Sequence, residues 1–305
     1  MTHSASPFLR RLALAGIALG AMAAAAPASA EIRLQMQDRD VARMVSLGGS
    51  CNRCELSGRD LSGATFTGAA FTNATLVGAN LRGAELIGSN FMGSDFTRAE
   101  LSGAEMVGAN FTGANFTDAD LSGISAMGAT LVRARFANAD LSGAELNGAN
   151  MNGAVLTGAD LSGGELTAVT LANVSARGAD FSDAEVTMSN LSNGDFRSAS
   201  FRDSDLNGSR LTGGQFGGAN FSDASMNRTD IRGADLSGAR GLDQEQISRA
   251  CGDDNTRLPR NLTVRVCRGL GGVRVGVHVA PPVPPAPPAP PVPPRVRNLV
   301  VASGR

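Results

Sequence analysis

The sequence predicts an all-β solenoid in which short extended segments stack into coils, with short helical caps at its ends. Three observations support this fold class. A large apolar residue recurs at every fifth position, a 20-residue period is superimposed on that repeat, and the aromatic content is only 4%, all of it Phe. A period of five fits neither the helix nor the strand, so each unit is expected to form a short extended piece and a corner.

The five-residue repeat runs through 37 consecutive units from Leu56 to Leu236 without an insertion. The central residue of each unit is large and apolar, except at Ala126 and Ala176, where weaker packing is expected. Two positions earlier the residue is small, most often Ala, and two positions later it is usually Gly, Asn or Asp. The central and the small residues are the only regularly apolar positions, and both are therefore expected to point inward.

The 20-residue period indicates that four units complete one coil. Of the nine central residues at positions 61, 81 and so on to 221, seven are followed by Ser, compared with three of the other 28. Residues 20 positions apart would then stack at about 4.8 Å, in a rod of about nine coils and about 45 Å. Gly164, Val169 and Val174 replace the usual Ala at the small position, so the coils near 164–176 are expected to be less regular.

Units that read Ala-Asp-Leu-Ser-Gly, at 119–123, 139–143 and 159–163, make the chain resemble the pentapeptide repeat proteins. The resemblance covers residues from about 54 to 240. It implies a right-handed quadrilateral β-helix in which the central and small residues face inward. Residues 242–267 are similar to the tails of exported members of that family.

The predicted organisation has five parts: a signal peptide at 1–30, an N-terminal capping segment at 31–50, the repeat solenoid at 51–240, a C-terminal helical cap at 241–268 and a Pro-rich tail at 269–305. Caps are expected because the open ends of a β-solenoid promote aggregation. Residues 34–47 have the pattern of an amphipathic helix that would cover the first coil. At the other end, Asp243 is the expected N-cap, Gln246 its capping-box partner and Gly252 the helix stop.

The first 30 residues have the layout of a secretory signal peptide. Arg10 and Arg11 form a short positive region, 12–26 is an uncharged apolar run, and 28–30 has the small-residue pattern of a cleavage site. An uncleaved anchor is the alternative, but the apolar run is short for a membrane-spanning helix. Cleavage after Ala30 is expected to yield a periplasmic or secreted chain without a transmembrane segment.

Four cysteines flank the repeats, and their even number in an exported chain favours disulfide bonds. Cys51–Cys54 and Cys251–Cys267 are the favoured pairs, while other connectivities stay open. The Cys-x-x-Cys at 51–54 has two alternative interpretations, a redox-active pair and half of a zinc site. A zinc site that uses all four cysteines is excluded, because the two ends of the rod would have to meet across about 45 Å.

The residue before each central residue forms outward-facing rows. A candidate acidic interaction stripe comprises Asp120, Asp140, Asp160, Asp180, Glu145, Glu165 and Glu185. Carboxylates on successive coils could hold Ca²⁺, but the simpler interpretation is a solvated side that keeps the rod soluble. Ile87, Val107 and Met127 form a small apolar row, which is either a partner contact or incidental.

The Pro-rich segment 281–294 contains ten of the thirteen prolines and predicts a polyproline II helix. It would act as a spacer or as a ligand for an aromatic groove of a partner. Residues 273–279 alternate like a strand, and residues 295–305 are short and basic.

The composition excludes several classes of function. A formal net charge of −1 argues against binding of nucleic acid through bulk positive charge, and His3 and His278 are the two histidines of the chain. No nucleophile–base pair, phosphate loop or metal-ligand spacing occurs, so the sequence predicts no enzyme, no catalytic residue, no cofactor and no metal site.

The sequence therefore favours an exported, non-enzymatic scaffold that binds an unidentified protein or envelope component through flat, partly acidic sides, alone or as a homodimer. Nucleic acid is not an expected partner. The resemblance implies one alternative, a DNA-mimic inhibitor of a nucleic-acid enzyme such as gyrase, which the signal peptide argues against. A β-helical enzyme acting on polysaccharide is another alternative, but the uninterrupted repeat leaves no insertion that could build a cleft.

Overall fold

The structure is a computed structural model that describes residues 49–267. Within that range every unit follows the same course: a residue in an isolated parallel β-bridge, an inward-pointing central residue and a two-residue turn. The expected signal peptide at 1–30, the expected helix at 34–47 and the Pro-rich tail at 269–305 lie outside the described residues.

Parallel bridges join residues that are 20 positions apart, from Ser50–Ala70 to Asn220–Arg240. Four bridge positions follow one another in every 20 residues, so each coil has four sides. The structure therefore has the 20-residue coil that the serine period predicts. Neighbouring coils are spaced by about 4.8 Å, the usual distance between hydrogen-bonded strands.

Main-chain hydrogen bonds connect each side of a coil to the coils before and after it. Leu101 N donates to Asp120 O at 2.7 Å in the following coil, and Glu105 N donates to Ala84 O at 2.9 Å in the preceding coil. The corner between them contains Gly103, whose φ of +67° is a left-handed conformation. Glycine adopts this conformation without a steric penalty, which explains the frequent Gly two positions after the central residue.

The core is a column of central Leu and Phe side chains separated by small residues, and these side chains are almost fully buried. Phe116 stacks between Phe96 and Phe136, with ring centroids 4.8 and 5.0 Å apart. In the C-terminal half, Phe181, Phe201 and Phe221 form another row of this kind, whose neighbouring rings stack at 5.0 and 5.1 Å. Each buried Phe contributes about 1.5–3 kcal/mol through apolar burial.

The coils at 164–176 keep the same bridge register as the rest of the solenoid, and the predicted irregularity appears at their corners. Val169 does widen its corner, because Val169 N lies 3.4 Å from Leu166 O. Val169 N also donates a hydrogen bond to Ser189 Oγ in the next coil, at 2.9 Å. The hydroxyl of a neighbouring coil thus compensates for the larger side chain, and the register is maintained.

Three buried hydroxyl side chains, Ser189, Ser209 and Thr229, follow one another in the same corner row near the C-terminal end. Ser209 Oγ accepts from Ser189 N at 3.0 Å and donates to Val186 O. Thr229 Oγ1 donates to a main-chain carbonyl of the preceding coil in the same way, at 3.0 Å. These hydroxyls add coil-to-coil bonds inside the core, where no water is needed to satisfy them.

We expect Ser209→Ala to destabilise the protein by about 1–3 kcal/mol, because Ser189 N and Val186 O lose a buried partner. Chemical denaturation of the variant and of the unaltered chain measures the difference. Ser142→Ala is the control, since this outward-facing serine should tolerate the change within about 0.5 kcal/mol. Equal effects of the two substitutions would contradict the structural role of the buried hydroxyl.

After Arg240 the chain leaves the five-residue repeat and forms one helix, α1 (Gln244–Arg249). The predicted capping box is present: Gln246 N donates to Asp243 Oδ1 at 2.8 Å, and Asp243 N donates to Gln246 Oε1 at 2.7 Å. Gly252 is not the helix stop, because α1 ends at Arg249, the C-cap residue Ala250 is already extended, and Gly252 forms a bridge further on. In the described part of the chain, no helix has the length and apolar character needed to cross a membrane.

Helix α1 packs against the last coils of the solenoid. Ile247 is fully buried, and Gln246 Nε2 donates to Phe221 O at 2.9 Å and to Ala224 O at 3.0 Å. In an inner coil, the carbonyl 20 positions before that of Ala224 belongs to Ser204. It accepts a hydrogen bond from Ser225 N of the next coil. The Gln246 amide thus supplies a donor that a further coil would otherwise provide.

Two disulfide bonds lie at the ends of the described solenoid. Cys51 is bonded to Cys54 across the first corner, with Cα atoms 5.6 Å apart. Cys251 is bonded to Cys267, with Cα atoms 4.7 Å apart. This second bond joins Cys267, the last described residue, to Cys251, which forms a β-bridge with Asp230 of the solenoid.

Candidate functional site: the acidic rows of the solenoid

Four residues of the predicted stripe, Asp120, Asp140, Asp160 and Asp180, form the Asp row along one side of the solenoid. Each bridges to the next, so they repeat at the coil spacing of about 4.8 Å. Each carboxylate accepts a hydrogen bond from the main-chain N–H of the serine two residues later, at 3.0, 2.9, 2.9 and 2.9 Å. The serine period is explained by a second bond, in which the hydroxyl donates to the same carboxylate, as from Ser122 Oγ to Asp120 Oδ1 at 2.7 Å and from Ser182 Oγ to Asp180 Oδ1 at 2.5 Å.

Asp60 stands at the N-terminal end of the same side and shows the effect of this contact on ionisation. Ser62 Oγ and Ser62 N donate to Asp60 Oδ1 at 2.8 and 3.2 Å. Both hydrogen bonds stabilise the charged carboxylate and so lower the pKa of Asp60 below its usual 3.8. The bond from the hydroxyl has the larger effect. The exposed carboxylate of Asp60 is therefore stabilised in its charged form, unlike a catalytic carboxyl whose pKa is raised by burial.

The other three residues of the predicted stripe, Glu145, Glu165 and Glu185, form the Glu row on the adjacent side, since Asp180 and Glu185 belong to consecutive units. All three side chains are exposed. Within residues 49–267 they form no salt bridge. Their contacts are with neutral donors, such as Asn147 Nδ2, which lies 3.0 Å from Glu165 Oε2. The negative charge of this row is thus available to a partner.

The small apolar row of Ile87, Val107 and Met127 lies at the corner that borders the side of the Glu row, nearer the N-terminal end. The three residues stack on successive coils, because Gly88 N donates to Val107 O and Gly108 N donates to Met127 O, each at 2.9 Å. Met127 is 41% exposed. The apolar row thus follows the corner next to the acidic row, with Ile87 and Val107 half-buried.

A cluster of two arginines around Asp195 is a feature that the sequence analysis missed. Arg177 Nε donates to Asp195 Oδ2 at 2.5 Å, and Arg197 Nε and Nη2 donate to the two carboxylate oxygens at 2.8 and 2.7 Å. Hydrogen bonds from Arg197, and then from Arg177, lower the pKa of Asp195 far below its usual 3.8. The sequence does indicate that the two arginines stack on neighbouring coils, because they are 20 positions apart.

We expect Asp195→Asn to cost about 1 kcal/mol at neutral pH, a small value because both arginines are half exposed. The folded-state pKa is lowered, so the carboxylate stabilises the fold above its unfolded pKa near 3.8, and this stability is lost as the pH falls further. Unfolding free energies of the variant and of the unaltered chain should therefore converge in acid. A difference that is the same at neutral and acid pH would contradict this ion-pair role, and Asp223→Asn is the control.

One group of three metal-type ligands occurs in the part of the chain that the structure describes: Asp230, Cys251 and Cys267, with their ligand atoms within 4.8 Å of one another. The two sulfur atoms are joined in a disulfide. The carboxylate of Asp230 is bonded to Arg232, with Nη2 and Oδ2 2.5 Å apart. The ligand atoms are thus already committed to other bonds, and the Arg232 contact lowers the pKa of Asp230.

Comparison with solved structures finds pentapeptide repeat proteins. HetL, a protein involved in heterocyst differentiation regulation from the cyanobacterium Nostoc sp., is 27% identical, with 73% of this chain and 99% of that chain covered and a TM-score of 0.44. QnrB1, a plasmid-mediated fluoroquinolone resistance protein, is 22% identical, with 68% and 93% covered and a TM-score of 0.37. Comparison with curated proteins gives no match.

The family model for pentapeptide repeats matches this chain in eight copies, and the matched residues include 50–86, 60–98, 76–113, 94–133, 134–173 and 199–238. These segments together cover more than half of the chain and coincide with the four-sided coils. Such proteins adopt a right-handed quadrilateral β-helix and are generally non-enzymatic structural or interaction proteins. The chain therefore belongs to the pentapeptide repeat family.

Proposed function

We propose that this chain is an exported, non-enzymatic scaffold that binds a protein or an envelope component through the Asp row and the Glu row. The observation that carries the proposal is the pair of adjacent acidic rows on one rigid frame. Both rows are outward-facing, and the Glu row has no cationic partner within residues 49–267.

Rigidity and charge both suit binding. Every coil is bonded to its neighbours through its main chain, so the carboxylates are held at fixed spacing before a partner arrives. Little ordering is then required at the interface, which favours affinity. A regular negative surface attracts a basic partner and increases its association rate, an effect that salt weakens.

Export is supported by the N-terminal pattern of Arg10, Arg11, the apolar run at 12–26 and the small residues at 28–30. The two disulfides suit an oxidising compartment. Helix α1 is proposed to act as the C-terminal cap, a role supported by the Gln246 bonds to the carbonyls of Phe221 and Ala224. The predicted helix at 34–47 would cap the other end.

The test of the binding surface is a pull-down from an envelope extract with the mature chain as bait. The variant Glu145→Gln/Glu165→Gln/Glu185→Gln removes three carboxylates of the Glu row. The matched control Asp118→Asn/Asp183→Asn/Asp223→Asn also removes three charges, but at corner positions with positive φ, which asparagine tolerates. We expect the native chain and the control to retain the same partners and the Glu-row variant to lose them. Equal retention by all three chains would contradict the proposal.

Localisation separates this proposal from the DNA-mimic alternative. N-terminal sequencing of the protein from the periplasmic or culture fraction should give a mature chain that begins at Glu31. Recovery of the uncleaved chain in the cytoplasm would contradict export and would favour an acidic mimic of DNA acting there.

A further inference from the structure

A surface depression at the C-terminal end of the solenoid is lined by three arginines, Arg228, Arg249 and Arg265. Its volume of about 760 Å³ is within the range of about 300–1,000 Å³ that is usual for small-ligand sites. Asp205 is the acidic residue of the lining, so the lining carries a net charge of +2. This positive charge is unusual in the molecule, because residues 55–185 contain fifteen acidic residues and six arginines.

The three arginines come from three separate parts of the chain: a corner of the solenoid, the last residue of helix α1 and the segment after that helix. Arg228 N donates to Arg249 O at 2.9 Å, so these two residues are direct neighbours. The disulfide between Cys251 and Cys267 fixes the segment that carries Arg265. The positions of the three main chains at the depression are therefore set by the fold before a ligand arrives.

Most of the guanidinium donors at the depression are available to an anion. Arg228 and Arg265 are exposed and form no salt bridge within residues 49–267. Arg265 Nη1 donates to Ser248 O at 3.2 Å, which uses one of its five N–H groups. Arg249 pairs with Glu245, but this pair is exposed to water and therefore weak, so an incoming anion can compete for Arg249.

The depression includes a corner row in which the middle side chain is missing. Met188, Gly208 and Arg228 occupy equivalent positions on three successive coils, and all three line the depression. A Cβ atom at Gly208 would lie 3.5 Å from Met188 Cγ, so the absent side chain leaves a gap between Met188 and Arg228. Asp205 does not fill the positive site with its charge, because Asp205 Oδ1 accepts a hydrogen bond from Asn207 N of its own corner at 2.8 Å.

The chemistry of this lining favours a phosphate group. Arginine binds phosphate oxygens through paired N–H donors, and a tetrahedral phosphate offers oxygens to several guanidinium groups, whereas a carboxylate has two oxygens in one plane. Met188, which is 67% exposed, offers an apolar contact to the organic part of a phosphate ester. The Glu row ends nearby on the adjacent side and would repel an extended polyanion such as nucleic acid, so a ligand with a single phosphate group is favoured.

We propose that the depression at Arg228, Arg249 and Arg265 binds the phosphate group of a phosphate ester, either a free small molecule or the headgroup of a phospholipid. Arg228 and Arg265 make the principal contacts with the phosphate oxygens, and Arg249 adds a contact when its pair with Glu245 opens. The site uses none of the carboxylates of the Glu row, so it is independent of the partner surface in the proposed function.

The test titrates the full chain with glycerol 3-phosphate at constant ionic strength and follows the amide NMR signals. We expect saturable shifts centred on Gly208, Arg228 and Arg265. The variant Arg228→Asn/Arg265→Gln should bind the probe about tenfold more weakly or worse, because it loses two charged donors. The matched control Arg98→Asn/Arg133→Asn removes two arginines from other corners with positive φ, which asparagine tolerates, and should bind as the unaltered chain does.

A second pair of variants tests the gap in the corner row. Gly208→Asp places a carboxylate between Met188 and Arg228 and should weaken binding to a similar extent. The solenoid already has aspartate in this backbone conformation, at Asp203 and Asp223, so the variant is expected to fold. Gly148→Asp is the matched control, since it adds the same charge in the same corner row three coils earlier, and it should bind the probe normally.

Vesicles of phosphatidylglycerol distinguish the two sources of the phosphate. Cosedimentation of the unaltered chain that Arg228→Asn/Arg265→Gln abolishes would identify a lipid headgroup, whereas binding of glycerol 3-phosphate without cosedimentation would identify a free ester. Absence of both saturable shifts and cosedimentation would overturn the proposal. Equal affinities of the unaltered chain and of Arg228→Asn/Arg265→Gln, or an equal loss in the Arg98→Asn/Arg133→Asn control, would overturn it as well.

Discussion

Replacement of Phe116 by aspartate is expected to unfold the central coils, at a cost of about 5 kcal/mol or more. Phe116 is fully buried and stacks between Phe96 and Phe136. Truncation of a buried Phe alone costs about 3–5 kcal/mol, and the aspartate adds a carboxylate that has no partner in an apolar column. The solenoid is stabilised by contacts between neighbouring coils, so a break at this coil weakens those on both sides.

The matched control is Ser142→Asp, which introduces the same charge at an outward-facing corner. We expect a change of about 0.5 kcal/mol or less, because the added carboxylate stays in water. Thermal melting followed by circular dichroism measures both variants. Equal losses would contradict the assignment of the central residues to the inside and of the corner residues to the outside.

Removal of the C-terminal disulfide is the second change with a large expected effect. Cys251→Ser/Cys267→Ser opens a loop between residues 16 positions apart and should cost about 3 kcal/mol. The loss should be local, because the segment after Cys251 is joined to the last coil by few bridges, such as Asp235–Arg257. Hydrogen exchange should therefore accelerate in 252–267 and stay slow in the inner coils.

The control is Cys51→Ser/Cys54→Ser, which opens a much shorter loop and should cost about 2 kcal/mol. Its effect on exchange should appear at the first coil. Unaltered exchange of 252–267 in the C-terminal variant would show that main-chain bonds, and not the disulfide, hold this segment to the solenoid.

The repeat geometry could be predicted because each side chain in the solenoid has a fixed direction. The serine after positions such as 121, 141 and 161 indicated a 20-residue period, and the bridges have that spacing. The physical link is the hydrogen bond from the serine hydroxyl to the preceding carboxylate, as from Ser122 Oγ to Asp120 Oδ1. The capping box of Asp243 was predictable for a similar reason, since it depends on residues only three positions apart.

Packing between coils was harder to predict. Val169 suggested an irregular coil, but Ser189 Oγ bonds to Val169 N and the register continues. This compensation involves a residue 20 positions away, whose direction is known only once the corners are placed. Likewise, the pairing of Arg177 and Arg197 with Asp195 depends on side-chain conformations that the repeat does not specify.

The acidic stripe could be predicted only in part from the sequence. The sequence placed its seven residues in outward rows, and the structure places Asp120 to Asp180 on one side and Glu145 to Glu185 on the next. The difference between the rows was not predictable from charge. The short Asp side chain reaches the main-chain N–H two residues later, whereas Glu165 accepts from Asn147, a side chain 18 positions away.

Engineered disulfide formation tests the 20-residue coil most directly. Ser142→Cys/Ser162→Cys places two thiols at equivalent corner positions of adjacent coils, where a spacing of about 4.8 Å is within disulfide range. Ser142→Cys/Thr157→Cys is the control, with the second thiol on a neighbouring corner. Peptide mapping after mild oxidation should find the 142–162 bond and no 142–157 bond. Preferential formation of the 142–157 bond would contradict the 20-residue coil, and with it the assignment of the acidic rows.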